Sequence, residues 1–117
     1  MRFVRSRLGL AALAAGLLLL GQGAASAASA EKGKTLFVKN GCWQCHGFVG
    51  QGGLAGPKLG PEPLPLEAFK SFVRSTNRAM PPYREAILPD ADLDDIHAYL
   101  QAVPKAADYK GIPLLNQ

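Results

Sequence analysis

Apolar and polar residues alternate along this chain with a helical period wherever they alternate at all. Leu93, Ile96, Leu100 and Val103 recur at i, i+3, i+7 and i+10 between Pro89-Asp90 and Pro104, the stripe of a helix that buries one face. Asp92, Asp94 and Asp95 fall in or near its first turn, where the helix dipole favours anions. A second stripe, Leu66, Phe69 and Val73 widened by Phe72, predicts a helix from about Leu66 to Thr76, with Lys70 and Arg74 on its outer side. A third, shorter helix is predicted over Glu31 to Asn40, with Gly33 and Phe37 four apart on one face and Gly41 closing it as a left-handed cap. A missing side chain at Gly33 suits a close helix crossing, and Tyr99 is placed to meet Gly33 and Phe37 across it. Glycine-rich (Gly47 to Gly60) and proline-rich (Pro61 to Pro65) segments join the helices. No stretch has the period of a strand, so the predicted class is all-α.

The N-terminus has a different pattern. Arg2, Arg5 and Arg7 precede an uncharged run of thirteen residues, Leu8 to Leu20, followed by the small-x-small sites Ala25-Ser26-Ala27 and Ala28-Ser29-Ala30. This order defines a secretory signal peptide over residues 1–30, cleaved after Ala27 or Ala30. The run is shorter than the roughly 20 apolar residues of a spanning helix, so stable membrane insertion is expected only if the signal stays uncleaved. Its removal also changes the charge. Three of 13 basic residues leave with it and none of the nine acidic ones, so the net +4 of the full chain falls to about +1. That balance gives no reason to expect nucleic acid as a partner. Cleavage after Ala30 would leave 87 of 117 residues, a small chain for a core built from protein alone. The expected organisation is a single domain over residues 31–105 and a tail over 106–117 ending in Ile112-Pro113-Leu114-Leu115, read as a strap packed on the surface or else a docking segment.

The candidate chemistry lies in Gly41-Cys42-Trp43-Gln44-Cys45-His46-Gly47. C-x-x-C-H is the spacing that attaches a c-type haem. One helical turn sets Cys42 and Cys45 on the same edge of a porphyrin as thioether anchors, and His46 follows as the proximal ligand to iron. These are the only two cysteines in the chain. A structural zinc site needs four ligands, and the only other histidine is His97. A thioredoxin-type pair needs a βαβ surround, and a plain disulfide would leave His46 unexplained. For the opposite axial position, the only methionine besides Met1 is Met80, in Ala79-Met80-Pro81-Pro82-Tyr83, where two prolines stiffen the loop. His97 is the rival, but it follows Ile96 and points off the apolar stripe, as a surface or hydrogen-bonded helix histidine does.

Together these residues resemble a class I bacterial cytochrome c, small, soluble and monohaem, over nearly all of Glu31 to Val103. The resemblance rests on Gly33 and Phe37, on Cys42-Trp43-Gln44-Cys45-His46, on Gly56-Pro57-Lys58-Leu59, on Met80-Pro81-Pro82-Tyr83 and on Ala98-Tyr99-Leu100. It implies the cytochrome c fold, three main helices and loops wrapped around one covalently bound haem c. It also implies that the Pro57 carbonyl accepts the hydrogen bond of the His46 ring, and that Leu59 and Tyr83 line the haem pocket. Pro89 departs from the family, whose members commonly carry Ser or Thr at that helix cap. The expected function is periplasmic one-electron transfer with His46 and Met80 both bound to iron, without enzymatic activity. Donor and acceptor would be redox proteins, a periplasmic dehydrogenase and a terminal oxidase or reductase, met by a monomer in transient contact. Two alternatives are a permanent cytochrome subunit of a dehydrogenase complex and a gas-binding or peroxidatic haem protein. The expected docking rim, Gln44, Phe48, Val49, Leu54, Ala55, Ala79 and Pro81, is uncharged.

Overall fold

A computed structural model describes residues 26–116, so residues 1–25, which carry most of the expected signal peptide, lie outside the described residues. Four α-helices follow one another: α1 Ala30–Lys39, α2 Trp43–His46, α3 Leu66–Ser75 and α4 Asp90–Ala102. Among the described residues there is no strand. Three of the helices are those read from the periodicity, with ends displaced by one or two residues, and α2 is the single turn of the cysteine motif.

Helix α1 starts where Ser29 caps it, its hydroxyl accepting the Lys32 N–H at 3.3 Å and its carbonyl the Gly33 N–H at 2.8 Å. It ends as the cap rule predicts. Gly41, at φ 77°, takes the left-handed conformation, and the Gly41 and Cys42 N–H groups return to the Val38 and Phe37 carbonyls, each at 3.1 Å. This turn swings the chain straight into α2.

The core is made where α1 crosses α4. Phe37 and Tyr99 meet with ring centroids 5.6 Å apart. Gly33 lies against backbone rather than against the Tyr99 ring: a Cβ there would sit 1.8 Å from the Asp95 carbonyl oxygen. Leu36, Phe37, Leu93, Ile96, Tyr99 and Leu100 fill this contact, and Phe69 and Val73 add α3 to it. Each such side chain contributes about 1.5–3 kcal/mol relative to exposure, so the α1–α4 contact is the main apolar source of stability.

The acidic start of α4 is neutralised by its neighbours. Lys32 reaches Asp92 at 3.0 Å and Asp95 at 2.7 Å, Lys70 reaches Asp94 at 2.5 Å, and Arg74 reaches Asp90 at 2.6 Å. Lys70 and Arg74 therefore bridge α3 to α4 rather than simply projecting outward. Asp95 is buried and also accepts the Ser29 N–H at 2.7 Å. The Lys32 ammonium, then that N–H, hold its carboxyl below the usual carboxylate range. Pro89 starts α4 without a side-chain cap.

Two further expectations are corrected. Phe72 does not widen the buried stripe but is 44% exposed, because Phe69 and Val73 already occupy the face of α3 that turns to α4. The tail is not a packed strap. Tyr109, Ile112, Leu114 and Leu115 are all exposed, and the tail instead folds on itself in two 3-10 turns. The Asn116 side-chain amide donates to the carbonyls of Tyr109, Lys110 and Ile112 at 2.9–3.1 Å.

Candidate haem site

Helix α2 holds Cys42, Cys45 and His46 within one turn. Cys42 caps it, the His46 N–H bonds the Cys42 carbonyl at 3.0 Å, and both cysteines are free of any disulfide. Cys45 is exposed and Cys42 partly buried, and burial pushes the Cys42 thiol up to about 11. The His46 ring is buried. Its Nδ1 lies 2.7 Å from the Pro57 oxygen. A carbonyl can only accept, so Nδ1 carries the proton and Nε2 is left with the lone pair that a metal needs.

The loop from Gly47 to Gly60 forms the floor under this ring. The Gly52 N–H returns to the His46 carbonyl at 2.8 Å, and the Leu59 N–H bonds the Gly50 carbonyl at 2.7 Å. Gly56 passes so close that a Cβ there would lie 3.0 Å from the Cys45 oxygen and from His46 Nδ1 and Cε1. A side chain would push against the imidazole edge that Pro57 holds. The Tyr99 hydroxyl donates to the Phe48 carbonyl at 3.1 Å, which fastens this loop to α4, and Phe48 stacks on Trp43 at 4.6 Å.

Met80, on a loop without helix or strand, is partly buried against the core, as are Cys42, Leu59 and Tyr83. Tyr83 anchors that loop. Its N–H donates to the Val73 carbonyl at 2.9 Å, its carbonyl accepts from Arg74 at 2.9 Å, and its hydroxyl donates to the Asn40 carbonyl at 2.8 Å. Burial first, then the neighbouring Cys42 and Cys45, raise the Tyr83 phenol above its usual range. Tyr83 thus stands between the methionine loop and the cysteine motif. His97 is buried, with Nε2–H donated to the Leu64 carbonyl at 2.8 Å and its ring 5.5 Å from Phe69. Its Nε2 is committed to holding the lead-in to α3. Among the described residues, no group of three or more His, Cys, Asp or Glu is placed to hold a metal ion.

These residues fit a covalently held haem: two free thiols on one turn, an imidazole with its Nε2 lone pair kept free, and a floor with no room for a side chain. Residues 28–100 match the family described as cytochrome C oxidase, cbb3-type, subunit III. The match covers more than half of the chain's 117 residues. The chain is a c-type cytochrome. Its helical fold is the all-α fold of that family, haem c is its cofactor, and haem-based electron transfer is its work. No curated protein and no solved structure matches this cytochrome. The match begins one residue before the Ser29 cap and ends before the tail.

The sequence pointed to His46, Pro57, Leu59, Met80 and Tyr83, but Arg74, Asn40 and Gly56 escaped it. Arg74 showed only as an outward-facing residue on α3, and nothing in its spacing indicated that a carbonyl beyond the helix needed a donor. Gly56 opens the Gly56-Pro57-Lys58-Leu59 stretch, yet its role depends on the ring lying beside it.

Proposed function

We propose that this cytochrome carries one haem c, bound through Cys42 and Cys45 with His46 and Met80 as axial ligands, and serves as a periplasmic electron carrier rather than an enzyme. The bond from His46 Nδ1–H to Pro57 at 2.7 Å is the observation that carries this reading. It holds the imidazole in one tautomer and orientation and raises its donor strength. The haem supplies a one-electron Fe(III)/Fe(II) cycle when bound. A thioether from Met80 favours the reduced state and so a more positive potential. Leu59 and Tyr83, both packed against the core, would line the haem pocket, and with His46 and Met80 both holding the iron no substrate would have a site on it. Met80→Ala should abolish the iron–sulfur charge-transfer absorption, lower the potential and admit carbon monoxide. His97→Ala should change none of these, and the opposite pattern would move the ligand role to His97.

Export belongs to the same reading. Among the described residues no helix is long and apolar enough to cross a membrane. Of the two cleavage sites, Ala27 suits the folded domain, because cutting after Ala30 would remove Ser29, the α1 cap and the partner of Asp95. The intact mass of the secreted holoprotein tests this, with a chain starting at Glu31 as the contrary result.

The matched family is described as an oxidase subunit, and the exposed tail gives that alternative a structural feature: a cytochrome held permanently in a larger complex. Native size-exclusion separates the two. A carrier elutes alone, and a subunit co-elutes with its redox enzyme.

A further inference from the structure

The loop between α3 and α4 holds Met80 without regular structure, and among the described residues the hydrogen bonds tying it to other elements, apart from those at its two ends where Thr76 leaves α3 and Pro89 enters α4, all meet at Tyr83. We infer that Arg74 is a positioning residue that latches this loop shut: one guanidinium nitrogen holds the Tyr83 carbonyl three residues beyond Met80, and the other holds Asp90 at the start of α4. The two contacts are 2.9 Å from Nη1 to the carbonyl and 2.6 Å from Nη2 to Asp90 Oδ1. A guanidinium presents its donors as a rigid fork, so one side chain can hold a carbonyl and a carboxylate at once, which an ammonium on a flexible stem does poorly. The Arg74 side chain is only 22% exposed, and the carbonyl it satisfies would otherwise lose a charge-assisted partner. Asp90 keeps the fork from rotating away, and Val73, one residue before Arg74, receives the Tyr83 N–H. The last turn of α3 therefore grips both polar backbone groups of the residue that fixes where the methionine loop ends. Loops with few such ties open locally at low free energy. In this loop the frequency of opening depends on Arg74.

This inference rests on the proposed ligation by Met80. The test uses the oxidised holoprotein and saturating imidazole, where the rate at which the iron–sulfur charge-transfer absorption disappears is limited by release of Met80. Denaturant midpoints are measured alongside. Arg74→Gln should raise the limiting rate roughly tenfold, the scale of losing one hydrogen bond to a charged donor. Arg74→Lys should recover only part of the loss. Lys70→Gln is the control, because Lys70–Asp94 joins the same two helices at 2.5 Å but does not touch the loop. It should lower the midpoint and leave the rate unchanged. Asp90→Asn, which frees the fork from α4 while keeping Arg74, provides a milder variant and should raise the rate in the same direction by less. Equal rates for Arg74→Gln and Lys70→Gln at matched stability would overturn the latch, as would an unchanged rate in Asp90→Asn should Arg74→Gln not fold. A wild-type protein lacking the absorption altogether overturns Met80 ligation, and the latch with it.

Discussion

Replacing Gly33 by alanine adds one methyl group at the tightest point of the helix crossing. Its Cβ would lie 1.8 Å from the Asp95 oxygen, 2.4 Å from the Asp95 carbonyl carbon and 2.9 Å from the Ile96 nitrogen. All three are backbone atoms inside α4, so no side chain can rotate aside. Relieving the clash means parting the helices by roughly 1.5 Å, and a gap of about 1 Å already forfeits up to half of the attraction at each contact. Overpacking typically costs about 1–3 kcal/mol, and a backbone clash belongs at the upper end. Alanine is the better helix former by about 1 kcal/mol, which leaves a net loss of about 2 kcal/mol. With a slope of roughly 2–3 kcal/mol per molar for a small domain in guanidinium, the unfolding midpoint of the holoprotein should fall by about 0.7–1 M. The visible spectrum and the potential should stay as they are. The sign is decisive: a midpoint that rises would mean Gly33 is an ordinary exposed helix position and the crossing is elsewhere.

Three further outcomes are expected. Haem should remain with the polypeptide through denaturation and acid-acetone extraction, and free extraction would exclude thioethers at Cys42 and Cys45. Because the Asp95 carboxyl titrates lower folded than unfolded, the stability it contributes is complete above about pH 4 and is lost as the pH falls through its lowered native value. Asp95→Asn should therefore flatten the acid limb of a midpoint-against-pH curve, and an unchanged limb would show the Lys32 and Ser29 contacts to be without effect. Electron transfer from the donor should depend weakly on salt, since Phe48, Val49 and Leu54 at the rim are exposed and uncharged while Lys32, Lys70 and Arg74 are paired within the molecule. A tenfold drop in the second-order rate as the Debye length shrinks from about 30 Å to about 10 Å would assign docking to the remaining basic residues instead.

What could be read in advance was whatever depends on period or fixed spacing. The stripes of α3 and α4 located the buried Phe69, Val73, Leu93, Ile96 and Leu100, because one helical face must meet the core whatever lies opposite. The cysteine motif located its own turn, because its chemistry demands that spacing. Contacts chosen by the partner were not legible. Phe72 has the same apolar character as Phe69 but faces away from α4, and only the placement of α3 decides between them. His97 was correctly read as a hydrogen-bonded histidine rather than an exposed one only in part: the sequence left both open, and the Leu64 carbonyl that settles it lies 33 residues away. The apolar end of the tail could be read as a packed strap or as a docking segment, and it is not packed on the domain: the Asn116 amide satisfies the tail's own carbonyls and those apolar residues stay outside.

The crossing at Gly33 joins positions 62 residues apart, Gly33 and Asp95, near the two ends of the domain. Contacts of that separation carry a large loop-closure entropy and form late. Because α2 follows directly on α1, the turn carrying Cys42, Cys45 and His46 would have no core to rest on until α1 and α4 meet. In a chain not yet closed, both sulfurs would then be open to an attachment apparatus, and the pairing of the domain's first and last α-helices would be the step that closes it.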